Sequence, residues 1–342
     1  MELELQRREL RFREPVPTAF GTLERRELLL VRVRDTDGRV GIGEAAPLEP
    51  YDGVSMEAVR SQIESCREVL AASDGHDAPD VVEACRSRCD LPQALAGIDL
   101  ALWDLRGRRA ARPVCELLTL APASEIPVNA LVSATDPDAA AASAAAACEA
   151  GFGCVKVKVG RDDDTARVAA VRAVVSRDVK LRLDANGAWT VDGAERALEA
   201  LVPYGLELCE EPVHGVDDLR ALRAALDGRV RIAMDETAAD PGSLASGAAD
   251  AVCLKASASG GITGLLEAAR TARAAGTDVY LASTFDGPIG IAAALHAAAA
   301  LAPLPPCGLV TLGLFADAPD PFPPRLGAMA VPVAPGLGLP VQ

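Results

Sequence analysis

In the run CVKVKVG, Val155, Val157 and Val159 alternate with Lys156 and Lys158. Strand side chains point to opposite faces in turn, so this pattern puts three valines on one face and both lysines on the other. Similar short apolar runs occur at PVNALVS, VKLRLDA, LELCEEP, RIAMDET, AVCLKAS, DVYLAST and GLVTLG, most of them separated by Ala-rich segments. From about Ile126 the chain therefore predicts eight strands alternating with helices. That alternation implies parallel strands, and eight of them suit a closed TIM-type barrel better than an open doubly wound sheet. An open sheet would usually carry a Gly-rich phosphate turn after its first strand, and VSATDPDAA is not one.

The first 55 or so residues instead read as strands joined by short turns, with Asp37-Gly38 marking a hairpin. A helical stretch follows from Met56 to about Leu118, including QALAGIDLALWDLRGRRA. The expected fold class is thus α/β, a TIM-type (β/α)7β barrel with an N-terminal α+β capping domain. Residues 1–120 would form the cap, 121–325 the barrel, and 326–342 an extended Pro/Gly-rich tail that packs back on the cap.

Composition narrows the chemistry. A net charge of −15 argues against a nucleic-acid or anionic membrane partner, whereas a small carboxylate substrate needs only a few local cations. No apolar run reaches the ~20 residues that span a bilayer, and MELELQRREL alternates like a strand with no signal-peptide core. A soluble cytoplasmic protein is expected. The nine cysteines include no Cys-x-x-Cys pair, which disfavours disulfides and structural zinc. With only three scattered histidines, the chemistry must rest on carboxylates and lysines. The Ala-rich helical exterior is compatible with a homo-oligomer.

Ionisable residues recur at the ends of successive barrel strands: Lys156 and Lys158, Asp184, Glu210, Asp235 and Lys255. Barrel strand ends at the C-terminal face form the active-site rim, so these six side chains should converge. Carboxylates that close raise each other's pKa unless a cation lies among them, and hard oxygen donors suit Mg²⁺, with Mn²⁺ as a substitute. The outer barrel face must be apolar to pack on helices, so the lysines of VKVKV point inward, toward the metal. Cations crowding a partly desolvated lysine lower its pKa, as a general base near neutral pH requires. A metal between lysines from opposite sides is a device for removing a proton α to a carboxylate and holding the resulting enediolate.

These motifs, together with DANGAW, EEP, DET, LKAS followed by GGITG, and ALWDLRGRRAARPVCELL, resemble the enolase superfamily over nearly the whole chain. The Lys-x-Lys form resembles its muconate-lactonizing subgroup. The resemblance implies metal ligands Asp184, Glu210 and Asp235 and the acid/base pair Lys158 and Lys255. It leaves Lys156, Asn186, Glu211 and Glu236 to stabilise the substrate carboxylate or orient the ligands. GIGEAAPLEPYDGVS and LASTFDGPIGIAAALHAAAAL look like o-succinylbenzoate synthases, Mg-dependent lyases of menaquinone biosynthesis that dehydrate a cyclohexadiene carboxylate. The alternative is an N-succinylamino acid racemase or dipeptide epimerase using the same residues. Against a dipeptide, the region LVTLGLFADAP lacks the Asp-x-Asp that such epimerases place at the last strand end to hold an ammonium. A catalytically retired binding barrel would be expected to lose one of the six residues. Substrate choice should lie in the capping loops Thr18–Glu24 and Pro47–Ser55, with Ser283, Thr284 and Gly287 as further contacts.

Overall fold

The computed structural model describes residues 1–18, 20–161 and 163–341; Ala19 in the first capping loop lies outside them. The chain opens with an antiparallel sheet of β1 (Glu2–Thr18), β2 (Gly21–Arg34) and β3 (Val40–Ala45). The expected Asp37-Gly38 turn joins β2 to β3, with the Gly38 N–H donating to Asp35 O. On β2 the alternate residues Leu29, Val31 and Val33 are buried. Six helices follow: α1 (Glu49–Asp52), α2 (Met56–Ser65), α3 (Arg67–Ala72), α4 (Ala78–Cys85), α5 (Pro92–Ala110) and α6 (Val114–Leu118).

Helix α5 is buried on nearly every side, because it lies between the sheet and the barrel. Its approach to β3 is backbone to backbone. A Cβ on Gly41 would stand 2.1 Å from Ala101 O, and one on Gly43 2.1 Å from Gly97 O. Toward the barrel, Asp99 accepts from the Thr263 N–H (3.1 Å) and Oγ1, and Trp103 Nε1 donates to Thr263 Oγ1 (2.9 Å).

After a short strand β4 (Glu125–Pro127) the barrel strands are β5 (Ala130–Val132), β6 (Cys154–Lys158), β7 (Lys180–Asp184), β8 (Leu206–Glu210), β9 (Ile232–Met234), β10 (Ala251–Leu254) and β11 (Asp278–Leu281). They pair in parallel in chain order. Helices α7 (Pro137–Glu149), α8 (Asp164–Val174), α9 (Val191–Leu201), α10 (Val216–Leu226), α11 (Gly261–Ala274) and α12 (Pro288–Leu301) cover the outside. Val155 and Val157 are fully buried against that layer, so Lys156 and Lys158 face the interior, as the alternation required.

The eighth run, GLVTLG, does not form a full strand. Isolated bridges Val128–Cys307 and Ala282–Gly308 close the gap between the first and last barrel strands, and a 3₁₀ turn then takes over at Leu312–Leu314. Four backbone hydrogen bonds make the seam: Cys307 and Gly308 donate to Pro127 and Leu281, and accept from Asn129 and Ser283. The chain ends with β12 (Ala328–Ala330), which pairs with β4, after which Gly336 bonds Val114 and Arg112 and the Leu337 N–H donates to Asp104 of α5 (2.7 Å).

Candidate active site

Strand register sets the level of the ionisable groups. Lys158 lies opposite Asp184, and Asp184 opposite Glu210, at the C-terminal ends of β6, β7 and β8. Asp235 follows β9 and Lys255 follows β10 directly. All six predicted residues, with Asn186, Ser283 and Thr284, line one cavity of about 120 Å³. The capping domain roofs it with Val16, Pro17, Thr18, Phe20 and Tyr51, so both predicted capping loops reach the barrel mouth.

Each carboxylate contacts a lysine. Lys156 Nζ donates to Glu210 Oε1 (2.8 Å) and lies 2.9 Å from Asp184 Oδ2, while Lys158 Nζ donates to Asp184 Oδ2 and Asn186 Oδ1 (2.7 Å each). Lys255 Nζ donates to Asp235 Oδ1 and to the Tyr51 hydroxyl (3.0 Å). Tyr280, buried on β11, donates its hydroxyl to Glu210 Oε2 (2.6 Å). Burial pushes Glu210 and Asp235 above the ordinary carboxylate range, although Lys156 and Lys255 oppose it. For Asp184 the outcome reverses: burial would raise it, but Lys156 and Lys158 together hold it below that range. Burial would likewise lower Lys156 and Lys255, yet the carboxylates around them drive both well above the usual lysine value. The three lysines and three carboxylates thus pair with one another across the site.

Buried oxygen donors converging from adjacent strand ends fit a hard divalent cation. Asp184, Glu210 and Asp235 would hold it. Oxygens of Glu210 and Asp235 and the Cys253 Sγ all lie within 4.8 Å of one another, an inward thiol that the strand pattern marked only as apolar filling. Glu211 does not face the cavity: its carboxylate accepts from the Asp235 N–H (2.7 Å), the Thr237 N–H (3.0 Å) and Thr237 Oγ1, and meets His214 Nδ1 at 3.0 Å. It thereby fixes the turn that presents Asp235. Asn186 links two shells, accepting from Lys158 while its amide donates to Glu236 Oε1 (2.9 Å).

Gly287 departs from expectation. It lies just before α12, away from the cavity lining, and its N–H donates to the buried Glu44 of β3 (2.7 Å), so it contacts the cap rather than the site. Tyr51 was visible in sequence only as part of its loop. Nothing local marks a tyrosine whose partner lies more than 200 residues away.

A capped parallel barrel with opposed lysines around a carboxylate cluster is equipped for acid–base chemistry on a small molecule. Two family models match the chain: "Mandelate racemase / muconate lactonizing enzyme, N-terminal domain" over residues 2–119, and "Enolase C-terminal domain-like" over residues 139–342. The chain belongs to the enolase superfamily, in its muconate-lactonizing subgroup, whose members are enzymes. It is 30% identical over 300 residues to the hydrophobic dipeptide epimerase of Enterococcus faecalis, covering 85% of this chain and 84% of that one. The crystal structure of the E. faecalis V583 dipeptide epimerase with Mg and L-Leu-L-Tyr superposes with a TM-score of 0.91 at 28% identity, covering 98% of both chains. This chain is 39% identical over 218 residues to the o-succinylbenzoate synthase of Thermobifida fusca, covering 60% of this chain and 66% of that one. The N-succinyl-L-Arg/Lys racemase of Bacillus cereus is 26% identical over 303 residues, covering 84% and 81%. Among the described residues, no helix is long and apolar enough to cross a membrane.

Proposed function

We propose that this chain racemises N-acylated α-amino acids, one of Lys158 and Lys255 taking the α-proton and the other delivering a proton to the opposite face. The observation that carries the proposal is their placement. Lys158 ends the second barrel strand and Lys255 follows the sixth, four strands apart in a ring of eight positions, so they face each other across the carboxylates. One amine can take a proton from one face of a bound α-carbon while the other returns a proton to the opposite face, which inverts the centre.

Mg²⁺, when bound, would draw charge from the substrate carboxylate and so acidify the adjacent C–H. Lys156, between Asp184 and Glu210, keeps a permanent ammonium in the floor of the site, where it would favour the anionic carboxylate group. With one of the two opposed lysines as a free amine, two ammonium groups face three carboxylates, and an added dication would leave net positive charge for an anionic substrate to match.

The rest of the lining limits the substrate's other end. Among the described residues, no acid lines the cavity beyond Asp184, Glu210 and Asp235, and each of these already meets a lysine. A free ammonium, such as that of a dipeptide, would find no counter-charge and would be desolvated at a cost. An acylated, uncharged nitrogen suits Asn129, Ser133, Ser283 and Thr311 beside Phe20, Leu131, Phe285 and Val310. A second reading, o-succinylbenzoate synthesis, is favoured by the 39% identity to the T. fusca enzyme and by the same neutral lining. There Lys158 would take the proton and return it to the departing hydroxyl on the same face, and Lys255 would serve only as a cation.

Side-by-side assays with Mg²⁺ separate these: optical inversion of N-succinyl amino acids, inversion of dipeptides, and dehydration of the cyclohexadiene carboxylate. Inversion of the acylated amino acids with dipeptides at least tenfold slower is expected. Dehydration without inversion would overturn the racemase reading, and faster inversion of dipeptides would overturn the argument from the neutral lining.

A further inference from the structure

The two opposed lysines are held differently. Lys158 has two acceptors from the barrel itself, Asp184 and Asn186. Among the described residues Lys255 has one barrel acceptor, Asp235, and its other hydrogen bond goes to Tyr51 of the capping domain. Asp184 and Asp235 are both carboxylates that a divalent cation would claim. Were a cation to engage both carboxylates, the acceptor left to Lys158 would be the Asn186 carbonyl, and among the described residues the one left to Lys255 would be the Tyr51 hydroxyl.

The cap is built to hold that hydroxyl still. Tyr51 lies in the short helix α1, and Asp52 beside it accepts from the Leu48 N–H (3.0 Å), the Val54 N–H (2.9 Å) and Gln93 Nε2 of α5 (2.9 Å). The Phe20 ring from the other capping loop meets the Tyr51 ring at 5.6 Å, so the two loops share one contact. The Lys255 ammonium also sits 5.3 Å from the centre of the Tyr51 ring, within range of a cation–π attraction.

Building on the proton-transfer function above, we propose that Tyr51 is the positioning residue for Lys255, supplied by the cap, and that only one of the two proton transfers depends on it. Lys158 needs no counterpart from the cap because Asn186 does the same work from the barrel.

The dependence has a stereochemical signature. An enantiomer whose α-proton faces Lys255 exchanges that proton with solvent through Lys255, and the other enantiomer exchanges through Lys158. Net racemisation slows equally in both directions when either step is impaired, since the equilibrium between enantiomers is fixed. Exchange with retention separates the two steps.

The test is the Tyr51→Phe variant with Mg²⁺ in D₂O, following deuterium uptake with retention into N-succinyl-L-leucine and N-succinyl-D-leucine separately. The variant should lose about tenfold in exchange from one enantiomer with little change in KM, and stay within about twofold on the other. Equal loss from both, or loss from neither, overturns the inference. Should the wild-type protein exchange neither enantiomer, the proposed function itself fails, and crystal structures of the Mg²⁺-loaded wild-type and variant proteins decide the positioning role alone. Displacement of Lys255 Nζ in the variant, with Lys158 unmoved, supports it; an unmoved Lys255 overturns it.

Discussion

At the scale of single residues, the site is a set of buried charges that satisfy one another. Glu211 touches no substrate space, yet it receives the Asp235 N–H, Thr237 and His214. Replacing it with Ala should loosen the turn that carries Asp235 and weaken Mg²⁺ binding by about 10- to 100-fold, measured by titration calorimetry. Unchanged Mg²⁺ affinity would show that Asp235 is placed without it. The residues that were legible in sequence, Lys156, Lys158, Asp184, Glu210, Asp235 and Lys255, share one property: each sits at or close to the C-terminal end of one of five successive barrel strands, and for the two lysines of β6 the apolar alternation also fixes the direction. Tyr51 and the Gly287–Glu44 contact were hidden because they join cap to barrel across more than 200 residues, and no local period encodes such a meeting. Cys253 was hidden for another reason, since a buried thiol on a strand reads the same whether it packs on a helix or faces a carboxylate.

At the scale of elements, the contact between β3 and α5 admits no side chain at two points. Gly43→Ala would drive a methyl group into Gly97 O, and neither strand nor helix can move without shifting the cap. A loss of about 3 kcal/mol is expected, read as a lowered thermal unfolding midpoint, and an unchanged midpoint would show that this backbone contact yields freely. The same helix carries Asp99, which burial pushes up to about 7 while hydrogen bonds from Thr263 offset part of the effect. The sign follows from proton binding. Both folded and unfolded chains hold the proton below about pH 4, but as pH rises toward 7 the unfolded chain releases it first, so stability is lost across that window by up to about 4 kcal/mol. Asp99→Asn sacrifices an acceptor for Thr263 at every pH but removes that slope. Its melting midpoint relative to wild type should therefore rise between pH 4 and 7, and a constant gap would contradict the assignment. The missing eighth strand belongs to this scale as well. GLVTLG carries the composition of a strand, but Cys307 and Gly308 alone suffice to bond both neighbours, and the chain then turns at Leu312.

At the scale of the whole molecule, a chain of net charge −15 gathers three lysines around three carboxylates in one cavity under a cap. A dication that binds only the folded barrel stabilises it, by about 2.7 kcal/mol at a hundredfold excess over Kd. Mg²⁺ should therefore raise the melting midpoint of the wild-type protein, and Asp235→Asn should erase most of that rise; an equal rise in the variant would remove Asp235 from the ligand set. The proton-transfer role of the opposed lysines is tested most directly by deuterium uptake into each enantiomer of an N-succinyl amino acid, with Mg²⁺ present, in Lys158→Ala and Lys255→Ala. Two facing bases predict that each variant loses racemisation by at least about a thousandfold yet keeps retentive exchange on one enantiomer, and that the enantiomer kept differs between the two. Loss of exchange on both enantiomers in Lys158→Ala, with both retained in Lys255→Ala, would contradict the two-base account and leave Lys158 as the single base serving both enantiomers.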